Sequence, residues 1–139
     1  MTENLDPKLL APIEKVARFI ETGDEFLLSA FAKDGVVIIE NFPPHLFQGD
    51  DAVERWSQKI ISWHEPPSDL VLKHSFGSVQ DLRVDEDEGL AFLSVATHWV
   101  ISEGDDSFEE DGGWAFVLVW EDGEWKVRSY GWAVTFIGE

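Results

Sequence analysis

The sequence predicts an α+β fold in which three helices precede a meander of antiparallel strands. Two patterns carry this prediction. The first half of the chain repeats apolar residues every three or four positions, and the second half is rich in Val, Phe, Trp and Thr between polar turns. The length of 139 residues and the apolar content of 44% fit one domain that buries a core and has room for one interior pocket.

Capping residues delimit the first two helices. Asp6 and Pro7 begin a helix whose apolar residues share one face, and Gly23 ends it. Asp24 caps a second, shorter helix, which Gly35 stops before a run of β-branched residues. Both helices are therefore predicted from local sequence signals.

A strand, an extended segment and a third helix follow. The β-branched run 36–39 predicts a strand that continues to about Phe42, where two consecutive prolines end it. Asp50 or Asp51 caps the third helix, which carries an apolar stripe, and the prolines from Pro66 close it.

The rest of the chain is predicted to form four strands. They are antiparallel because the connections are short and contain no crossover helix, and Asp122-Gly123 is the clearest hairpin turn. The acidic clusters 85–88 and 103–111 predict solvated loops between strands. The predicted strands are Leu70–Val84, Leu90–Ser102, Trp114–Glu121 and Trp125–Ile137.

The second acidic cluster has an alternative interpretation as a calcium site. It lacks the alternating oxygen ligands and the twelfth-position Glu of an EF-hand, which favours the solvated loop. Metal binding is not predicted elsewhere, because no His-x-x-His or Glu-x-x-His spacing is present. No cofactor is predicted, and the absence of Cys removes thiol chemistry.

The charge of the chain restricts its partners. The formal net charge is −18, and a surface of that sign repels nucleic-acid phosphates and anionic lipid headgroups. Met1 to Asp6 lack the pattern of a signal peptide, and no apolar run reaches the ~18 residues that span a bilayer. We therefore predict a cytoplasmic protein with no nucleic-acid or membrane partner.

One strand predicts self-association. In Leu90–Ser102, Leu93 and Trp99 lie on one face while Phe92 and Val100 lie on the other, so both faces are apolar. Three helices can cover one face only. The sequence therefore predicts a homodimer in which a second copy covers the other face.

Two stretches of the chain resemble the nuclear transport factor 2-like superfamily, in its SnoaL-like and ketosteroid isomerase-like group. The first is GVVIIENFPPHLFQG at 35–49 followed by the helix start at 51–56, and the second is GWAFVLVWEDGEWKV at 113–127 followed by SYGWA at 129–133. The resemblance implies a cone-shaped half-barrel, in which a strongly curved, mainly antiparallel sheet wraps around three N-terminal helices and leaves an apolar pocket at the wide end. Members include enzymes of several classes and proteins without catalysis, so the fold implies a pocket and not a reaction.

The ketosteroid isomerases within this group provide positions for comparison. Their first-helix Tyr falls near Val16 here, and their oxyanion-hole Asp falls on the strand that begins at Trp114, so both donors are missing. The resemblance therefore disfavours steroid isomerisation. Their general base falls late in the first strand, where this chain has Glu40.

Glu40 is the predicted catalytic base. It shares a strand face with Val36, Ile38 and Phe42, and an interior position on that face would desolvate the carboxylate and raise its pKa. The alternative is a Glu at a strand end that reaches water or caps the nearby loop.

Two histidines lie on apolar strand faces. His98 shares its face with Phe92 and Val100, and His74 shares its face with Leu72 and Phe76. We predict a catalytic role for His98 and a ligand-binding role for His74, either of which could polarise or protonate a substrate oxygen. The alternative for each is a core or interface residue.

Aromatic residues complete the predicted site. Trp63, at the end of the third helix, is predicted to roof the cavity, whereas Trp56 is assigned to packing. Tyr130 and Trp132 suit either the pocket mouth or the dimer interface, and they fall on the same face as Arg128 unless a bulge rotates them.

These residues predict a small-molecule pocket protein. The first hypothesis is an isomerase, lyase or hydrolase that uses acid/base chemistry on a compact apolar substrate with a carbonyl or hydroxyl group. The alternative is a non-catalytic ligand-binding or dimerisation module of the same fold.

Overall fold

The computed structural model describes residues 5–139, in which six strands form one curved, open sheet that holds the helices on its concave side. The helices are α1 (Pro7–Thr22), a 3₁₀ helix (Glu25–Ala30) and α2 (Ala52–Trp63). The strands are β1 (Val37–Ile39), β2 (Leu46–Phe47), β3 (Leu70–Asp85), β4 (Leu90–Glu103), β5 (Asp106–Glu121) and β6 (Glu124–Gly138). The predicted α+β cone is confirmed.

The sheet has the order β2-β1-β6-β5-β4-β3. Strands β3 to β6 form the predicted antiparallel meander, and β1 joins it by pairing with β6 in parallel. Asp122 and Gly123 form the predicted β5–β6 turn, and both have positive φ. No helix within residues 5–139 has the length and apolarity that crossing a bilayer requires.

The first helix has the predicted ends. Asp6 accepts a hydrogen bond from the Lys8 backbone N–H at 2.9 Å, Pro7 occupies the first turn, and Gly23 closes the helix with a φ of 72°. The second helix is a 3₁₀ helix that ends well before Gly35, because Phe31 adopts an extended conformation and bridges to Val127.

The first strand is shorter than predicted. It ends at Ile39 because the backbone N–H of Glu40 donates to the carbonyl of His45, which folds the following residues into a tight loop. The third helix begins after Asp51, as predicted, although the Asp51 carboxylate accepts from Arg55 rather than from a backbone N–H.

The prediction of a solvated loop at 103–111 is wrong beyond its first residues. Glu103 pairs with Asp106 around a tight turn, and β5 runs from Asp106 onward in register with β4. The acidic side chains of this segment therefore alternate between the two faces of a strand. The acidic residues indicate that the side chains of this segment are solvated, but they do not show that its backbone pairs with β4.

A β-bulge in β6 sets the orientation of the last aromatic residues. Leu118 pairs with Val127 and Val117 pairs with Ser129, so Arg128 is an extra residue in its strand. The bulge turns Tyr130 to the buried, concave side, the same side as Val127. The sequence places Tyr130 on the face of Arg128 unless a bulge intervenes. The bulge is present, and Tyr130 therefore does not share that face.

The convex face of the sheet remains partly uncovered within the described chain. Leu90 and Phe92 of β4 are 41% and 37% exposed, whereas Leu93 and Val95 on the concave side are fully buried. The helices thus cover one face only.

Candidate functional site

The concave side of the sheet contains a cavity of about 290 Å³. Its wall is formed by both α-helices, the loop after β1 and strands β3 to β6. Most of the wall is aromatic or aliphatic, and its polar residues are Glu40, Asn41 and Glu110. The other lining residues are Ile20, Phe42, Ile60, Trp63, Leu70, Leu72, Trp99, Ile101, Trp114 and Trp132.

Glu40 enters this wall directly after β1. Its side chain continues the buried face of Val36 and Ile38, and the residue is only 8% exposed. Its Oε2 atom accepts a hydrogen bond from Trp56 Nε1 of α2 at 3.1 Å and another from the Tyr130 hydroxyl of β6. Three separate elements therefore hold one carboxyl group in place.

The environment of Glu40 changes its acidity. Burial raises its pKa to about 7, although hydrogen bonds from Tyr130, Trp56 and the Asn41 backbone oppose the shift. Burial also raises the pKa of Tyr130, as does the charge of Glu40, so Tyr130 remains a phenol donor. At neutral pH the Glu40 carboxyl can therefore accept or donate a proton.

Glu110 is a second carboxyl in the same wall, and the sequence analysis missed it. Burial raises its pKa, while a hydrogen bond from Trp132 opposes the shift. Its negative charge in turn raises the pKa of Glu40. The sequence does contain a signal for this position. Glu110 is separated from Trp114 and Phe116 by an even number of positions, so a strand that begins before Trp114 places all three on one face.

His98 lies on the opposite side of the sheet from the cavity. Trp99 faces the cavity, and adjacent residues of a strand point to opposite faces, so His98 projects from the convex face. Its Nδ1 lies 2.6 Å from Asp111 and its Nε2 lies 3.3 Å from Glu109, and hydrogen bonding to Asp111 is the main cause of its raised pKa. The structure therefore does not bring His98 together with Glu40.

His74 lies on the concave side, next to the cavity but outside its lining. Glu21 Oε2 accepts from both the backbone N–H and the Nδ1 of His74, each at 2.7 Å. The imidazole ring centre is 5.5 Å from that of Trp99, a wall residue. The Glu21 carboxylate thus fixes the orientation of the His74 ring through Nδ1 and leaves Nε2 on the other side of the ring.

The predicted aromatic residues occupy three kinds of position. Trp63 and Trp132 line the cavity, and Tyr130 lies behind the wall, where it binds Glu40. Trp56 packs in the core as expected and in addition donates to Glu40. In the described part of the chain, no three His, Asp or Glu side chains are grouped as metal ligands.

Comparison with known proteins agrees with this architecture. Similar solved structures include a putative scytalone dehydratase from Novosphingobium aromaticivorans DSM 12444 (TM-score 0.72, 16% identity, 99% of this chain and 90% of that one). Others are the hexachlorocyclohexane dehydrochlorinase LinA-type3 from Novosphingobium barchaimii LL02 (0.73, 10%, 94% and 86%) and a conserved protein from Planctomyces limnophilus DSM 3776 (0.72, 14%, 92% and 95%).

At these identities the likeness concerns the fold alone. No curated protein matched the sequence. The sequence model of the SnoaL-like domain matches residues 10–135, which include most of α1, the other helices, the loop with Glu40 and nearly the whole sheet. The chain therefore belongs to the SnoaL-like domain family.

Proposed function

We propose that this protein binds a compact apolar molecule in the cavity and transfers a proton to or from it through Glu40, as an isomerase, lyase or hydrolase. One observation carries the proposal: a buried carboxyl with a pKa raised to about 7 lies in the wall of an apolar cavity. Such a group is present in both protonation states at neutral pH, which is the requirement for efficient general acid/base catalysis.

The hydrogen bonds of Glu40 suit this role. Tyr130 and Trp56 both donate to Oε2, which fixes the orientation of the carboxyl group in the cavity wall. Burial among the aromatic and aliphatic residues of the wall desolvates this carboxyl group and raises its pKa. The proposed chemistry then follows from the position and the desolvation of this carboxyl group.

His74 is the second residue that we propose to act on the substrate. Glu21 fixes the orientation of its ring, which contacts Trp99 of the cavity wall. In this position it can bind or polarise a substrate oxygen. His98 is not included, because it lies on the convex face.

Glu40→Gln is expected to keep ligand binding and to lower turnover by about 10²- to 10⁴-fold, because it preserves the side-chain shape but cannot exchange a proton. Ligands would first be found by thermal-shift screening of compact carbonyl and hydroxyl compounds. Conversion of each bound compound, and its carbon-bound deuterium exchange in D₂O, would then be followed by NMR for wild type, Glu40→Gln and His74→Asn.

Glu124→Gln is the matched control, since this carboxylate is exposed at the β5–β6 turn and should leave the rate unchanged. If wild type neither converts nor exchanges any bound ligand, the enzyme proposal fails and the ligand-binding alternative is supported. Equal rates in Glu40→Gln and wild type would show that another residue is the base.

We further propose that the convex face forms a homodimer in the cytoplasm. The exposed Leu90 and Phe92 lie on this face, and burying them against a second copy removes apolar surface from water. Sedimentation at micromolar concentration should therefore give about twice the 15.8 kDa of one chain. A species of 15.8 kDa alone would contradict this assembly.

A further inference from the structure

We propose that the preferred ligand of the cavity is a compact organic cation, namely an apolar or aromatic amine that is protonated at neutral pH. This inference rests on the proposed function in one respect, which is that the cavity is the ligand site. It adds the charge of the ligand and assigns Glu110 as the residue that selects it.

The first argument is the balance of charge in the wall. Two carboxyl groups, Glu40 and Glu110, line the cavity, and no Lys, Arg or His is among its lining residues. An anionic ligand would meet both carboxyl groups in an apolar environment with no cation to offset them. A single ammonium group would instead compensate a carboxylate, and the net charge of −18 favours its approach.

The second argument is the aromatic composition of the wall. Four indole rings, those of Trp63, Trp99, Trp114 and Trp132, line the cavity. Trp114 lies 6.0 Å from Trp99 at 58° and 5.9 Å from Trp132 at 75°, so these rings form adjoining, angled sides. Indole faces attract ammonium groups through the ring quadrupole, and the same rings cover an apolar body.

The two carboxyl groups differ in their burial and in the hydrogen bonds that they already accept. Glu40 is 8% exposed and its Oε2 is held by Tyr130 and Trp56. Glu110 is less buried and interacts with Trp132, an indole of the wall. The more accessible Glu110 is therefore the partner of the ammonium group, and Glu40 remains free to transfer a proton elsewhere on the same molecule.

Matched pairs of small probes test this inference at binding equilibrium. Benzylamine is compared with benzyl alcohol, cyclohexylamine with cyclohexanol, and benzoate serves as the anion, by calorimetry and Trp fluorescence at pH 8. Each amine is expected to bind at least about ten-fold more tightly than its alcohol, and benzoate should not bind. Glu110→Gln should remove most of the preference and leave alcohol binding unchanged.

Glu109→Gln is the control, because this neighbouring carboxylate pairs with His98 on the convex face and should leave the preference intact. If Glu110→Gln does not fold, wild type is compared at pH 8 and pH 5. The amines stay charged at pH 5, whereas Glu40, whose pKa is raised to about 7, is largely protonated there, and the raised pKa of Glu110 favours its protonation in the same direction, so the preference should fall.

Three results would overturn the inference: an alcohol that binds as tightly as its amine, an amine preference that survives undiminished in Glu110→Gln, or no binding of either amine. The outcome is separable from that of the proposed function. Amine selectivity without conversion or exchange would refute proton transfer alone. Conversion of a neutral ligand without amine selectivity would refute the present inference alone.

Discussion

Trp56→Ala is expected to lower the free energy of unfolding by about 3–5 kcal/mol, which is a large fraction of the ~5–15 kcal/mol that stabilises an ordinary domain. Trp56 is fully buried, and its ring lies 5.2 Å from Phe19, 5.3 Å from Phe31 and 5.9 Å from Tyr130. Truncation leaves a cavity among these rings and also removes a hydrogen bond to the buried Glu40. Urea denaturation monitored by circular dichroism measures the loss.

Trp56→Phe separates the two contributions. It keeps much of the apolar contact but removes the indole N–H, so its cost should be smaller than that of Trp56→Ala. The pKa of Glu40 should rise further, because one of the hydrogen bonds that lower it is lost. A loss below about 1 kcal/mol for Trp56→Ala would show that the ring is not a core residue in solution.

The second large effect is a dependence of stability on pH. Glu40 has a pKa raised to about 7 in the folded state, against an ordinary value of 4.5 in the unfolded chain. Between these values the native protein binds more protons than the unfolded one, so the stability from this group is fully present below pH 4.5 and lost as pH rises through 7. The loss is on the order of 3 kcal/mol.

Glu40→Gln removes this titration. The difference in unfolding free energy between wild type and Glu40→Gln should therefore shift against wild type between pH 5 and pH 8. Urea denaturation of both proteins at the two pH values measures the shift, and the difference between them cancels the titration of the other carboxylates. Parallel profiles for the two proteins would show that Glu40 has an ordinary pKa.

The elements that the sequence predicts correctly are those whose ends are determined by neighbouring residues, such as caps and turns. α1 has a capping Asp, a Pro in its first turn and a Gly at its end, and the β5–β6 turn has Asp122-Gly123. The β5 strand was predicted to begin eight residues late because its first residues are acidic. Side-chain solvation and backbone pairing are compatible in a strand with one wet face, so charge alone could not locate the strand end.

The site could be predicted only in part, because its contacts link distant segments. Glu40 follows from strand periodicity, but its donors Trp56 and Tyr130 lie 16 and 90 residues further along the chain. The face on which His98 lies could not be predicted for a related reason. Both faces of β4 carry apolar residues, so alternation within the strand did not distinguish the cavity from the convex side.

The parallel pairing of β1 with β6 also affects the motions of the protein. β1 contributes three residues to the sheet and joins it through a strand about ninety residues away, whereas β3 to β6 are long, consecutive hairpins. Closing such a long loop is entropically costly and few hydrogen bonds offset that cost, so we expect the β1–β6 pairing to open more readily than the β3–β6 hairpins. Amide hydrogen exchange at Ile38 and Glu40 therefore reports local opening of the cavity wall, and an occupant that contacts both Glu40 and the wall from β5 and β6 would slow it.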